Sequence, residues 1–257
     1  MENEFSSIHE FDFNLICEYF SSVDRQGPGS VESALKALGF IDNLNEDSKI
    51  IDLGCGTGTQ TITVANNVPG KVFALDLFPL FVSKLDEKIK EMGLDNKIST
   101  IVGSMDKLPF DKNFFDLIWC EGAVYNIGFR NALTIWKDFL NDNGYAAVTE
   151  VSWLTEKRPK EIEDFWMDAY NEIDTVSNKI KVIEQCGYKP VAAFVLPENC
   201  WTDNFYIPQI KAQYEFLNKY PDNPTASSLV ESQRHEFELY KKYSSYYGYV
   251  FYIAKKI

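Results

Sequence analysis

The stretch Ile50-Ile51-Asp52-Leu53-Gly54-Cys55-Gly56-Thr57-Gly58 decides the fold. An apolar run leads into three glycines at alternate positions, and Thr59 to Asn67 beyond them reads as a helix, so a strand, a tight loop and a helix follow one another. Glycine lacks a Cβ and tolerates positive φ, which lets such a loop turn sharply and lets a ligand press against its backbone. We therefore expect Asp52, Gly54, Cys55, Gly56 and Gly58 to cradle a nucleoside, and a Cβ at Gly56 to intrude on the ligand. The dinucleotide-binding fingerprint sets its third glycine one place later than Gly58, where this chain has Thr59. Asp52 also occupies a position that is usually apolar in a nicotinamide site.

Three more strand ends follow. Val72-Phe73-Ala74-Leu75-Asp76 ends in a carboxylate about twenty residues after the glycines, where an acid can accept ribose hydroxyls. Ile101 to Asp106 precedes Leu108-Pro109-Phe110, and Phe115-Asp116-Leu117-Ile118-Trp119-Cys120-Glu121-Gly122 completes the series. Strands are predicted near 49–53, 71–76, 98–102, 115–121 and 145–151, with helices over 59–67, 79–92 and 131–140 between them. Pro79 suits a first helical turn and Gly93 a helix stop. Asn141-Asp142-Asn143-Gly144 reads as a turn. The alternation implies an α/β fold with a doubly wound, mostly parallel sheet.

Together these segments resemble class I S-adenosylmethionine-dependent methyltransferases, in particular the small-molecule branch that includes the ubiquinone and menaquinone biosynthesis enzymes. Residues 48–152 carry the resemblance, through Asp52 to Gly58, Asp76, Ser104-Met105-Asp106 and the strand ending at Glu121. It implies a Rossmann-like, seven-stranded sheet with an antiparallel last strand, and S-adenosyl-L-methionine as cofactor. Carried over by position, Asp76 binds ribose, Leu77 packs on adenine, Ser104 and Met105 line the ring, and Asp106 meets the adenine amino group. The Asn143-Gly144 turn lacks the proline usual in the family. The direct hairpin that often joins the family's last two strands is replaced by helical candidates.

Those candidates lie beyond residue 152. Helices are predicted over 159–173, 176–186, 208–220 and 225–243, and extended segments over 189–196 and 246–254. The chain divides as a single domain over 1–257, with an N-terminal helical segment 1–47, a cofactor-binding core 48–152 and a C-terminal half 153–257. Helices around 153–174 and 201–245 either cap the cofactor pocket or extend the core or a homodimer contact. Aromatic residues crowd this half, and Phe165, Trp166, Tyr214 and Phe216 at helical spacing fit core positions.

Upstream, Arg25-Gln26-Gly27-Pro28-Gly29-Ser30 precedes a helix over 31–38 that Ser30 is placed to cap. Arg25 either folds over the pocket to pair with the cofactor's carboxylate through its guanidinium fork or sits in an exposed turn. Tyr125, Asn126, Glu150 and Trp153 follow the carboxyl ends of strands four and five, where open α/β sheets bind ligands, so they are the substrate-side candidates. Glu121 and Tyr125 are the catalytic candidates; Glu121 is equally placed to contact cofactor or cap its loop.

Composition narrows the partners. The 257 residues are 45% hydrophobic and 15% aromatic, enough for a sizeable core. A net charge of −13 disfavours nucleic acid, which needs clustered cations, and leaves a small-molecule substrate. No apolar run is long enough for a membrane span and no secretory signal pattern opens the chain, so a cytoplasmic location is expected. Five scattered cysteines fit reduced thiols, and two histidines, His9 and His235, give no basis for a histidine-rich metal site. Two other classes stay open: a non-catalytic S-adenosylmethionine-binding scaffold or sensor, and a nicotinamide-dependent oxidoreductase.

Overall fold

The computed structural model describes residues 13–257; residues 1–12, with His9 and the start of the 1–47 segment, lie outside the described residues. Five strands alternate with helices in the order the apolar pattern implies: β1 (Lys49–Leu53), α3 (Thr59–Asn67), β2 (Lys71–Asp76), α4 (Pro79–Met92), β3 (Ile98–Val102), β4 (Phe115–Cys120), α5 (Phe129–Trp136) and β5 (Leu140–Trp153). Two helices precede them, α1 (Phe13–Ser21) and α2 (Val31–Leu38). The side chain of Ser30 caps α2 by accepting from the Ser33 amide at 3.0 Å. Gly93 closes α4 in the left-handed region at φ 66°, its N–H turned back on the helix carbonyls.

The chain then forms α6 (Lys160–Ala169), the two-residue β6 (Asp174–Thr175), α7 (Val176–Gln185), β7 (Tyr188–Val195), α8 (Ile207–Lys219), α9 (Pro224–Tyr243) and β8 (Tyr247–Lys256). The sheet order is β3-β2-β1-β4-β5-β8-β7, with β6 attached to the end of β5. β1 to β5 pair in parallel, and β8 runs antiparallel between β5 and β7. The expected seven-stranded sheet with an antiparallel last strand is therefore present, with short β6 as an addition.

Three expectations need correction, one of them the helix predicted over 159–173, which ends at Ala169 with Tyr170 extended beyond it. The helix predicted to Leu140 ends at Trp136, and a single 3-10 turn leads into a strand that already pairs Leu140 with Phe115. The predicted turn at Asn141 to Gly144 is a bulge inside that strand: pairing lapses after Leu140, Asn143 takes φ 65°, and the ladder resumes at Tyr145 opposite Leu117.

Successive β1 residues face opposite sides, Ile50 into one buried cluster and Ile51 into another. The first cluster packs Leu85, Trp119, Trp153, Trp201 and Phe251, and the second packs Phe115, Trp136, Tyr188 and Tyr252. A third joins α1 to α8 and α9 through Leu15, Tyr19, Phe216 and Val230, with the Tyr19 hydroxyl donating to Gln209 Oε1 at 2.7 Å.

Sheet direction fixes where the last insertion lies. Because β8 is antiparallel to both β5 and β7, β7 ends and β8 begins at the carboxyl edge of the parallel strands. Residues 196–246, with α8 and α9, therefore rise from the edge where open α/β sheets bind ligands. Among the described residues, no helix is long and apolar enough to cross a membrane.

Candidate functional site

The strand order reverses between β1 and β4, and the glycine loop leaves β1 at that point. Gly54, Gly56 and Gly58 take φ values of 75°, 54° and 89°, all in the region L side chains avoid. The amides of Gly54 and Cys55 donate to the Leu75 carbonyl at 2.8 and 3.0 Å, and Gln60 Nε2 donates to the Cys55 carbonyl at 3.0 Å. These bonds hold the loop against β2. A Cβ at Gly56 would strike Gln26 Oε1, one at Gly58 would strike Leu85, and one at Gly54 would strike Ala123. The expected clash at Gly56 is thus with the protein's own Gln26, whose Oε1 also accepts from the Thr57 amide at 3.0 Å. Gln26 was not singled out from the sequence, and only its position beside Arg25 hints at the role.

Asp76 lies at the end of β2 beside this loop. Its Oδ2 accepts from the Gly56 amide at 2.8 Å and its Oδ1 from the Phe78 amide at 3.0 Å, while burial pushes its pKa up against those bonds. Asp52 sits behind the loop, wholly buried, with Oδ2 accepting from the Thr61 hydroxyl at 2.6 Å and Oδ1 lacking a partner. Burial, with the charges of Glu121 and Asp76 adding, raises its pKa to about 8. Cys55 turns its side chain into the core, so only its backbone faces outward along the loop. Further along the edge, Leu77 is 57% exposed, Ser104 and Met105 are half-buried and Asp106 is exposed. The methyl of Met105 lies 3.3 Å from where a Gly54 Cβ would stand, which brings this segment over the loop.

Arg25 is buried, and its Nη1 pairs with Glu121 Oε2 at 3.3 Å. Trp119 Nε1 donates to the other Glu121 oxygen at 3.0 Å. Burial raises the Glu121 pKa while Arg25 opposes it. Arg25 Nη2 has no partner, although it is buried. The pair lies against Gly29, where any Cβ would collide with Arg25 and stand 2.7 Å from Glu121 Oε2. Gly29 is tied to the insertion between β7 and α8, its amide donating to the Cys200 carbonyl at 3.3 Å and its carbonyl accepting from Asn204 Nδ2 at 2.8 Å.

On the acceptor side, Tyr125 and Asn126 lie exposed on a 3-10 turn after β4, with the Tyr125 ring edge-on to Tyr170 at 6.1 Å. Glu150 is almost fully buried; its Oε1 accepts from Lys179 Nζ and from the Tyr170 hydroxyl, each at 2.6 Å. Burial raises the Glu150 pKa and Lys179 opposes it. Trp153 sits in the core cluster, edge-on to Tyr247, with the Arg158 guanidinium 4.2 Å from its ring centre. Lys179 and Tyr170 escaped the sequence reading because nothing in their local pattern separates them from ordinary helix and loop residues. Among the described residues, no group of three or more metal-binding side chains converges.

Residues 50–144 match the family of methyltransferase domains. The chain is 24% identical over 191 residues to phosphoethanolamine N-methyltransferase of Plasmodium falciparum, spanning 72% of this chain and 67% of that protein. It is 32% identical over 96 residues to ubiquinone/menaquinone biosynthesis C-methyltransferase UbiE of Wigglesworthia glossinidia brevipalpis, covering 37% of this chain and only 36% of that one. The solved structure of a SAM-dependent methyltransferase from Geobacter sulfurreducens in complex with S-adenosyl-L-homocysteine superposes with a TM-score of 0.80 at 17% identity, over 95% of this chain and 98% of that one. At that identity the superposition establishes the fold.

Proposed function

We propose that this chain, which belongs to the class I S-adenosylmethionine-dependent methyltransferases through its domain at 50–144, transfers a methyl group to a small molecule. The observation that carries this reading is the pairing of a left-handed glycine loop, with Asp76 against it, and a buried Arg25 that is held by Glu121 and keeps its Nη2 unpartnered among the described residues. A ligand with ribose hydroxyls and a carboxylate matches both features, since Asp76 at the loop can accept from the hydroxyls and Arg25 Nη2 can donate to the carboxylate.

Gly54 to Gly58 and Asp76 would hold the nucleoside, Leu77, Ser104, Met105 and Asp106 the base, and Arg25 the carboxylate. When bound, S-adenosylmethionine supplies a methyl carbon already activated by the positive sulfur. The chain's tasks are to exclude water and to align the acceptor, for which Tyr125, Asn126 and the Glu150 group are placed at the carboxyl edge. Both oxygens of Glu121 are engaged by Arg25 and Trp119, which fits an orienting role better than that of a proton-accepting base. Names among the relatives include both N- and C-methyltransferases, which supports a small-molecule acceptor without fixing the acceptor atom. We read 1–47, 48–152 and 153–257 as parts of one domain, with the C-terminal helices as its cap. The free cysteines among the described residues and the net charge of −13 support a cytoplasmic enzyme that does not bind nucleic acid.

Calorimetry with S-adenosylmethionine, S-adenosylhomocysteine and NAD, followed by labelled-methyl transfer into a cell metabolite extract, tests this reading. Binding of the first two but not NAD, with label entering a small molecule, is expected. Binding without turnover would favour a scaffold or sensor, and NAD binding alone would point to an oxidoreductase.

A further inference from the structure

Three acids near the acceptor side differ in their counter-charges. Glu121 has Arg25 and Glu150 has Lys179, but among the described residues Glu236 on α9 has only the Tyr206 hydroxyl, donating to its Oε1 at 2.8 Å. Its basic neighbours in sequence are turned elsewhere: Arg234 Nε donates to Gln213 Oε1 at 2.9 Å, and the His235 ring lies against Phe165 at 5.8 Å. Among the described residues, no lysine, arginine or histidine forms an ion pair with Glu236. Burial is the main cause raising its pKa, and the Tyr206 bond opposes the rise.

Aromatic rings fill the surroundings. Trp201 stacks on Tyr240 at 4.6 Å and meets Tyr249 at 4.9 Å, with Tyr206 and Tyr247 each at 6.0 Å. Burial first, and then the charge of Glu236, push up the phenols of Tyr206 and Tyr247. Trp201 and Tyr206 of the insertion and Tyr247 and Tyr249 of β8 therefore gather beside Glu236. One buried group here lacks a partner among the described residues, the indole N–H of Trp201, which is 1% exposed. The Tyr249 ring comes within 3.5 Å of a Cβ position on Gly122, so the group extends to the loop beside Glu121.

We propose that Glu236, with Tyr206, Tyr247, Tyr249 and Trp201 around it, is a cation cage that binds the amine group of the methyl acceptor; as that nitrogen bonds to the methyl carbon and the carbon–sulfur bond breaks, its proton passes to the Glu236 carboxylate. The inference deepens and rests on the methyltransferase reading above. Aromatic faces attract a desolvated cation through their negative quadrupole, and the Glu236 carboxylate, with no protein cation paired to it among the described residues, supplies the counter-charge. The unpartnered indole N–H calls for an oxygen on the same ligand, because a buried donor is rarely left unmet.

Choline and its neutral carbon isostere, 3,3-dimethylbutan-1-ol, separate charge from shape. Titrated by NMR and calorimetry against the full chain, with and without S-adenosylhomocysteine, choline should bind about tenfold or more tighter than the alcohol. Glu236→Gln keeps the oxygen that accepts from Tyr206, and should remove that preference while leaving S-adenosylhomocysteine affinity unchanged. Equal binding of the two probes by the wild-type chain, no binding of either, or a preference that survives in Glu236→Gln would overturn the cage. The wild-type comparison stands even if the variant folds poorly. Failure of S-adenosylhomocysteine to bind, with the choline preference intact, would overturn the methyltransferase reading and leave the cage standing.

Discussion

Asp52 shows how a residue chosen for ligand contact can act through its protonation state. Its wholly buried carboxyl receives the Thr61 hydroxyl on Oδ2 and nothing on Oδ1, an arrangement that suits a protonated acid. Burial raises its pKa from 3.8 to about 8, so the folded chain keeps a proton that the unfolded chain releases. Stability that is present below the unfolded value is then lost as pH rises toward the folded one. Asp76, Glu121 and Glu150 are raised as well and act in the same direction. The ligand-free protein should therefore lose thermal stability between about pH 4 and 8, and Asp52→Asn, which mimics the neutral acid, should flatten part of that slope. Melting temperatures of both proteins across this range provide the check; parallel curves would mean that Asp52 is ionised throughout.

Elements at the carboxyl edge are held by buried pairs. Lys179 on α7 and Glu150 on β5 are 3% and 1% exposed and meet at 2.6 Å. Removing one partner leaves an uncompensated buried charge, so Lys179→Met should cost about 3–5 kcal/mol, and adding Glu150→Gln should recover much of it. Denaturant midpoints of the single and double variants decide this; equal loss in both would show that packing of the lysine stem dominates. The pair also marks how far sequence reading reaches. β1 to β3, α3 and α4 match their predicted ranges because glycines, Pro79 and apolar runs mark them locally. The bulge at Asn143 was read as a turn because pairing with β4, a tertiary fact, carries the strand past it. Likewise Asp76, Glu121 and Arg25 stand at marked strand ends or in a marked turn, whereas Lys179, Gln26 and Glu236 meet their partners only through the approach of distant segments.

At the scale of the whole molecule, the long insertion between β7 and β8 and the N-terminal segment meet over the glycine loop. Gly29 is bonded to both Cys200 and Asn204, Gln26 locks Thr57, and the Thr57 and Thr59 hydroxyls donate to the Asp24 carbonyl at 3.2 and 2.6 Å. These contacts join the N-terminal segment to the glycine loop and to the insertion. They are the part of the fold that a ligand beneath them would steady. Methyl transfer requires water to be kept from the reacting carbon, so the segments should open to admit the cofactor and settle once it is in place. Amide hydrogen exchange over 21–30, 153–175 and 198–206 should slow when S-adenosylhomocysteine saturates the protein, while the central strands, already the most protected, change little. The buried Arg25 Nη2 without a partner motivates this expectation, since a carboxylate delivered to it would add a charge-assisted bond to the segment that bears Gly29. Arg25→Ala should then abolish the slowing over 21–30 and 198–206 even at ligand concentrations raised to restore saturation. Equal protection in that variant would assign the closure to the helices alone, and unchanged exchange in the wild-type chain would mean a pocket that is preformed.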